Sequence, residues 1–301
     1  MQRARLNVVL AAVLIALGVG IYLSQKKEEK NPPLTALTAE GITHIVIEHP
    51  DAPAIKLEKQ SSTWMLVAPV AAEADKFEVN GALSLATLER KKTLDPAKVK
   101  LSDLGLDPPQ YSVTLNDTRL QMGGLEPLQF QRYVKVGDIV ALTDDPPSAA
   151  LDKDYSDLVS KAVLTENAEI RKIEVPGLTL ERNAEGRWVL NPPDPNAGAD
   201  QMQQLADNWK RVHSMWNEFD ANAKDAKGDP VTITLKDRAV KFIVVSRDPQ
   251  LQLERPELGV RFNLGKDQID QLLKLPAPAP AKEEPRPAGT ANTPAAPAEK
   301  N

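Results

Sequence analysis

Only three histidines, His44, His49 and His213, occur in the 301 residues, and there is no cysteine. No pair of these histidines has the H-x-x-x-H or related spacing that sets two ring nitrogens on one helix face, so the sequence offers no metal centre. The lack of Cys removes thiolate nucleophiles, disulfides and zinc–thiolate sites together. No serine stands in a G-x-S-x-G setting, and no glycine loop opens a helix as a phosphate cradle, so no cofactor is implied. Carboxylate chemistry is what remains. Asp75, Asp107 and Asp200 are the candidates for a glycosidase-like acid/base pair. Asp75 and Asp200, however, stand at matching places just ahead of helical segments, where an aspartate caps free N–H groups. A catalytic pair needs two unlike environments to hold two unlike pKa values. Asp107, like Asp103, falls in SDLGLDPP, which reads as a rigid Gly/Pro turn. The chain therefore reads as a non-enzyme, with a carboxylate-dependent hydrolase as the remote alternative.

The elements that would position these residues follow from composition and pattern. A hydrophobic fraction of 42% supports a core, and with aromatics at 4% that core is mostly aliphatic. A net charge of −5 without a basic face excludes nucleic acid as a partner. Val8 through Leu23 is uncharged and apolar, with Leu6 just before it, flanked by Arg3 and Arg5 and by Lys26 and Lys27. A helix needs roughly 20 apolar residues to cross a bilayer, and no A-x-A pattern precedes Ser24. Residues 6–23 are thus expected to form a single-pass signal anchor in a bacterial inner membrane, with the main domain in the periplasm. At the other end, Ala and Pro dominate residues 276–301, a composition expected to stay extended and disordered.

Between these ends the chain repeats itself. SSTWMLVAP around Trp64 returns as EGRWVLNPP around Trp188. Ile42, Ile45, Leu57 and Lys59 align with Ile170, Ile173, Leu180 and Arg182; Leu66 aligns with Leu190, and Asp75 with Asp200. Thr114-Leu115 and Asp117 then meet Thr234-Leu235 and Asp237. Order held over so many positions is the signature of a duplicated unit. Each unit is expected to be α+β: an antiparallel β meander packed on an amphipathic helix, following the transmembrane helix. The expected boundaries are 1–30 for the anchor, 31–165 and 166–275 for the units, and 276–301 for the tail. In the second unit Met202, Leu205, Trp209, Val212, Trp216 and Phe219 recur at alternating three- and four-residue spacings, which predicts one long helical stripe. Trp64 and Trp188 read as equivalent core positions, with sugar or ligand stacking as the sharper alternative. The stripe reads as core, or as a groove for a partner helix.

The order W-x-L-x-x-P, A-D before a helix, L-x-x-L-G-L-D-P-P and R-Y-V is similar to a bacterial family known as domain of unknown function 4340. The matching residues are Trp64, Leu66 and Pro69, Ala74-Asp75, Leu101 to Pro109, and Arg132-Tyr133-Val134. The second unit departs from the pattern, keeping only Gly228-Asp229-Pro230 of the turn. The resemblance implies an extracytoplasmic, membrane-anchored accessory protein, in some cases beside an ABC-type transporter, and it carries no catalytic residues over. The expected function is therefore that of a binding or scaffold protein in an envelope complex, with Gly105, Leu106, Asp107, Pro108, Pro109, Trp209 and Trp216 as candidate interaction residues. The alternative is a periplasmic binder of a small molecule or lipid, held in a cleft between the repeats.

Overall fold

The computed structural model describes residues 31–145 and 154–277, together with Val13, Ile15 and Leu17. The first sheet has nine strands in the order β4-β3-β2-β1-β6-β7-β8-β9-β5. Their ranges are β1 His44–Glu48, β2 Ile55–Gln60, β3 Thr63–Ala68, β4 Ala72–Glu73, β5 Lys92–Leu94, β6 Tyr111–Leu115, β7 Thr118–Leu125, β8 Arg132–Val136 and β9 Ile139–Thr143. The second sheet has eight, in the order β12-β11-β10-β14-β15-β16-β17-β13. These are β10 Ile170–Val175, β11 Leu178–Arg182, β12 Trp188–Asn191, β13 Trp216–Phe219, β14 Asp229–Leu235, β15 Ala239–Ser246, β16 Leu251–Arg255 and β17 Val260–Leu264.

With the two-residue β4 set aside, the two orders coincide strand for strand. The registers coincide across the first three strands of each sheet, whereas the pairing to the second half is displaced by two residues: Ile45 faces Leu115, but its counterpart Ile173 faces Ile233 rather than Leu235. Ile45, Leu57 and Leu66 form a cross-strand row in the first sheet, and Ile173, Leu180 and Leu190 form its counterpart. All of the first row and the first two members of the second are buried, because period-two alternation sends these side chains to the core face.

The expected α+β architecture of helix-packed meanders is overturned: the protein is mostly antiparallel sheet with short helices. The reason lies in the edges of β1 and β10. Each pairs on one side with its hairpin partner and on the other with a strand far along the chain, Ile47 with Val113 and Ile173 with Ile233. The meander is therefore half of a larger sheet, whose second half is the run β6–β9 or β14–β17. Among the described residues from 31 onward the α-helices are α1 (Lys76–Ser84), α2 (Tyr155–Leu158), α3 (Ala199–Arg211) and α4 (Gln268–Leu272).

The apolar segment 6–23 lies outside the described residues apart from Val13, Ile15 and Leu17, which are helical and exposed. Among the described residues no helix is long and apolar enough to cross a membrane, so the transmembrane helix expected as part of the fold is not part of the architecture described. The Ala/Pro-rich tail lies outside the described residues beyond Ala277.

By proximity the chain forms two compact units, and they interleave in sequence. The first runs to Lys161 and takes in Met215–Asp225 and Arg255–Phe262; the second comprises Ala162–Ser214, Ala226–Glu254 and the chain from Asn263. The predicted helical stripe is cut at this interleaving. α3 ends at Arg211, Val212 turns extended (ψ 135°), and Trp216 begins β13. Three-and-four spacing continues past His213 by coincidence. The local pattern there alternates instead, with Asn217 buried between exposed Trp216 and Glu218. Within the second unit Trp209 is fully buried; its indole N–H donates to the Leu272 carbonyl (3.0 Å) and its ring lies 6.0 Å from that of Phe242. It is a core residue joining α3 to α4.

Candidate functional site

In the first unit, four separate segments converge on one apolar cavity of about 660 Å³. The connection between β1 and β2 supplies His49, Asp51, Ala52 and Pro53, and Ile55 opens β2 beneath it. Pro69 follows β3, Asp154 and Tyr155 start α2, and Phe219 ends β13. Two prolines within five residues keep the β1–β2 connection rigid and deny it ladder hydrogen bonds, so it stands open at the sheet end.

Each wall is held from behind. Tyr155 donates its hydroxyl to the Leu258 carbonyl (2.7 Å) and meets the Phe219 ring edge-on at 5.6 Å and 63°. Asp154 accepts from the backbone N–H of Ser156 (2.7 Å) and from its hydroxyl (2.5 Å), which fixes the start of α2. Buried Asn217 donates to the carbonyls of Val159 (2.8 Å) and Ser156 (3.3 Å), tying the end of α2 to β13. His49 stacks on Tyr111 at 5.8 Å. Of the two carboxylates that line the cavity, Asp51 and Asp154, the latter is occupied as a helix cap. What the arrangement can do is enclose an apolar group against Ile55, Pro53, Tyr155 and Phe219; its volume lies in the range of about 300–1,000 Å³ usual for ligand pockets.

The residues singled out from the sequence take other places. Asp75 is the N-cap of α1, its Oδ1 accepting from Phe77 (2.9 Å) and Glu78 (3.1 Å), and its Oδ2 lies 3.5 Å from Lys161 Nζ. Asp200 is exposed inside the first turn of α3, whose N-cap is Gly198. Asp107 and Pro108 are exposed in the turn, while Leu106 is buried. Gly105 closes the preceding 3-10 helix in the left-handed region (φ 65°), as the turn requires.

This turn is packed onto β7. A Cβ on Gly123 would stand 2.4 Å from the Leu104 carbonyl oxygen, so only glycine lets the two backbones approach. The ladder shifts register between Met122 and Leu125, as the Gly123-Gly124 pair allows. Buried Arg132 locks the arrangement from β8: it donates to the Gly123 carbonyl (2.7 Å) and to Gln110 (3.0 Å), pairs with Asp145, and lies over the Tyr111 ring at 5.7 Å. The G-L-D-P-P, G-G and R-Y-V elements are thus one structural knot.

The cavity had no signature to find. Its walls are two prolines, Ala52, Ile55, Tyr155 and Phe219 with the polar His49, Asp51 and Asp154, drawn from distant segments, and the helical spacing carries Phe219 beyond the end of its helix. The knot beside it is partly legible as the G-L-D-P-P and R-Y-V elements, but nothing in the sequence says that Arg132, at the start of its strand, is buried against the turn. Among the described residues no group of three or more His, Asp or Glu could hold a metal ion.

Fold and site together define a duplicated, mostly β module with an apolar pocket in its first unit. The chain belongs to the family described as domain of unknown function (DUF4340), whose model matches residues 64–236, more than half of the sequence. No curated protein and no solved structure matches the chain.

Proposed function

We propose that this chain is a non-catalytic binding module of the bacterial cell envelope, and that the cavity beside Tyr155 receives an apolar group of its ligand. The observation that carries the reading is the cavity itself: 660 Å³, walled by Pro53, Ile55, Pro69, Tyr155 and Phe219, with Asp154 engaged as a cap. Titration of the purified full chain with the neutral apolar fluorophore N-phenyl-1-naphthylamine tests it. Ala52 is exposed on the cavity rim, so Ala52→Trp fills the space without disturbing the core. Saturable binding abolished by Ala52→Trp, at unchanged circular dichroism and Tm, supports the reading. Absence of binding, or binding untouched by the substitution, ends it.

A scaffold role beside a membrane transporter has a separate observation in its favour. The loop between β7 and β8 holds Leu128 (85% exposed) and Phe130 (70%) outward. It is a shaped loop, since Glu126 Oε2 accepts from the backbone N–H of Leu128 (3.1 Å) and Gln129 (2.7 Å). Apolar side chains presented on a formed loop suit a protein partner. In-cell crosslinking should capture a membrane complex with the parent chain and lose it with Leu128→Ser and Phe130→Ser together. Capture that persists in the double variant removes the loop from the account.

A further inference from the structure

The two sheets end differently beyond the third strand of their meanders. In the first unit β4 lies outside β3, with Ala72 opposite Leu66 and Glu73 opposite Met65, and the Ala74 N–H donates to the Trp64 carbonyl (2.9 Å). Trp64 and Leu66 therefore turn their backbone groups outward to β4, since residues two apart in a strand point the same way. In the second unit β12 closes the sheet order, and no strand among the described residues lies beyond it. Trp188 and Leu190 hold the places of Trp64 and Leu66 against the neighbouring strand and direct the same groups to an open edge. The segment that forms β4 in the first unit forms a turn in the second. Pro192, Pro193 and Pro195 have no N–H for a ladder, and Asp194 engages the next two donors, its carboxylate accepting from Asn196 (2.8 Å) and its carbonyl from Ala197 (3.0 Å). The side chains follow suit: Leu66 is 1% exposed, whereas Leu190 is half-buried and Val189 is 49% exposed.

From this contrast we infer that the β12 edge receives an extended segment of a partner protein, added antiparallel in the place that β4 fills in the first unit. Strand addition of this kind takes its affinity from main-chain hydrogen bonds and its selectivity from alternate side chains. β4 defines the chemistry of the occupant. Opposite Leu190 it carries a small apolar residue, as Ala72 stands opposite Leu66. Two residues further on it offers an N–H to the Trp188 carbonyl, as Ala74 does to Trp64, which excludes proline there. A second copy of the chain does not meet this description. Antiparallel pairing joins outward-pointing residues to outward-pointing residues, so a second β12 would set Leu190 or Trp188, and no small side chain, against Leu190. The edge belongs to the second unit, whereas every residue lining the cavity at Tyr155 belongs to the first.

Hydrogen exchange of the Leu190 amide in the full chain tests the proposal, with an end-capped synthetic copy of residues 70–75 as the probe. In the chain alone this amide should exchange rapidly, as an unpaired edge group does. Probe at about ten times its Kd should slow the exchange about tenfold. The same peptide N-methylated at the alanine that copies Ala74 lacks the donor for the Trp188 carbonyl and should give no protection, a control that leaves the protein unaltered. Slow exchange in the chain alone at every concentration would mean that another part of the chain covers the edge. Protection that rises with protein concentration would assign the edge to a second copy. Either result overturns the proposal, and so do exchange unchanged by the probe and equal protection by the N-methylated peptide.

Discussion

Trp64 and Trp188 occupy one position in two sheets of the same strand order, yet their surroundings have diverged. Trp188 has a guanidinium over one face and a glutamine at its N–H; Trp64 has a lysine opposite it and an open cavity beside it. The turn beyond the helices diverges the other way. In the first unit G-L-D-P-P lies against Gly123, whereas register pairing places Ile243 at the equivalent point of β15, since Leu120 faces Val113 as Val240 faces Ile233. Duplication preserves which face each strand buries, because a one-residue slip would turn a whole apolar face to water; the two-residue displacement between the β1–β6 and β10–β14 pairings keeps that face. It leaves free the positions at the ends and rims of the sheet. The apolar cavity of the first unit is built from such positions.

The largest expected effect comes from exchanging the residue at the turn. Gly123→Ile places a branched side chain against the Leu104 carbonyl oxygen and the Leu106 side chain, and it should destabilise the first unit by about 3 kcal/mol. The reverse exchange, Ile243→Gly, removes a half-buried side chain and should cost about 1–2 kcal/mol in the second unit. Urea unfolding of both variants measures the difference; equal costs would mean the knot around Arg132 is not special to the first unit.

The tryptophans give the next effect. Trp188→Ala loses a buried indole, its cation–π partner and a hydrogen bond to Gln203, for about 3 kcal/mol. Trp64→Ala, at a half-buried position beside a cavity, should cost about 1 kcal/mol. A Trp64 cost equal to that of Trp188 would show that the two tryptophans still serve packing alike.

Where the sequence was readable, local periodicity and pairing rules agreed. The rows Ile45–Leu57–Leu66 and Ile173–Leu180–Leu190 were visible as an alignment before they were visible as neighbours. The extent of the sheets was not, because the partner of Ile47 is Val113, and nothing local joins residues so far apart. The stripe from Met202 to Phe219 misled for a sharper reason. The three-and-four spacing runs on past the helix only by coincidence, since in a strand a spacing of three changes face, and the signal for the ending, Val212 followed by His213 and Ser214, contains neither Gly nor Pro. The cavity at Tyr155 was illegible because it depends on β13 joining the first unit, a property of the whole chain.

The two aspartates set the smallest difference and the finest test of how far the repeats have parted. They align in sequence, but Asp75 accepts two backbone N–H groups as the cap of α1, whereas α3 starts one residue before Asp200 and is closed at its N-terminus by Gln201, which accepts from Gly198 N–H (2.9 Å). Asp75→Ala leaves two donors without their acceptor and should cost about 1 kcal/mol. Asp200→Ala removes only a charge favourably placed near the helix N-terminus, worth about 0.3 kcal/mol and screened by salt. Thermal unfolding at low and high salt separates the two: the Asp75 loss should persist in high salt and the Asp200 loss should vanish. A salt-resistant loss at Asp200 as large as that at Asp75 would mean that both repeats still begin their helices in the same way.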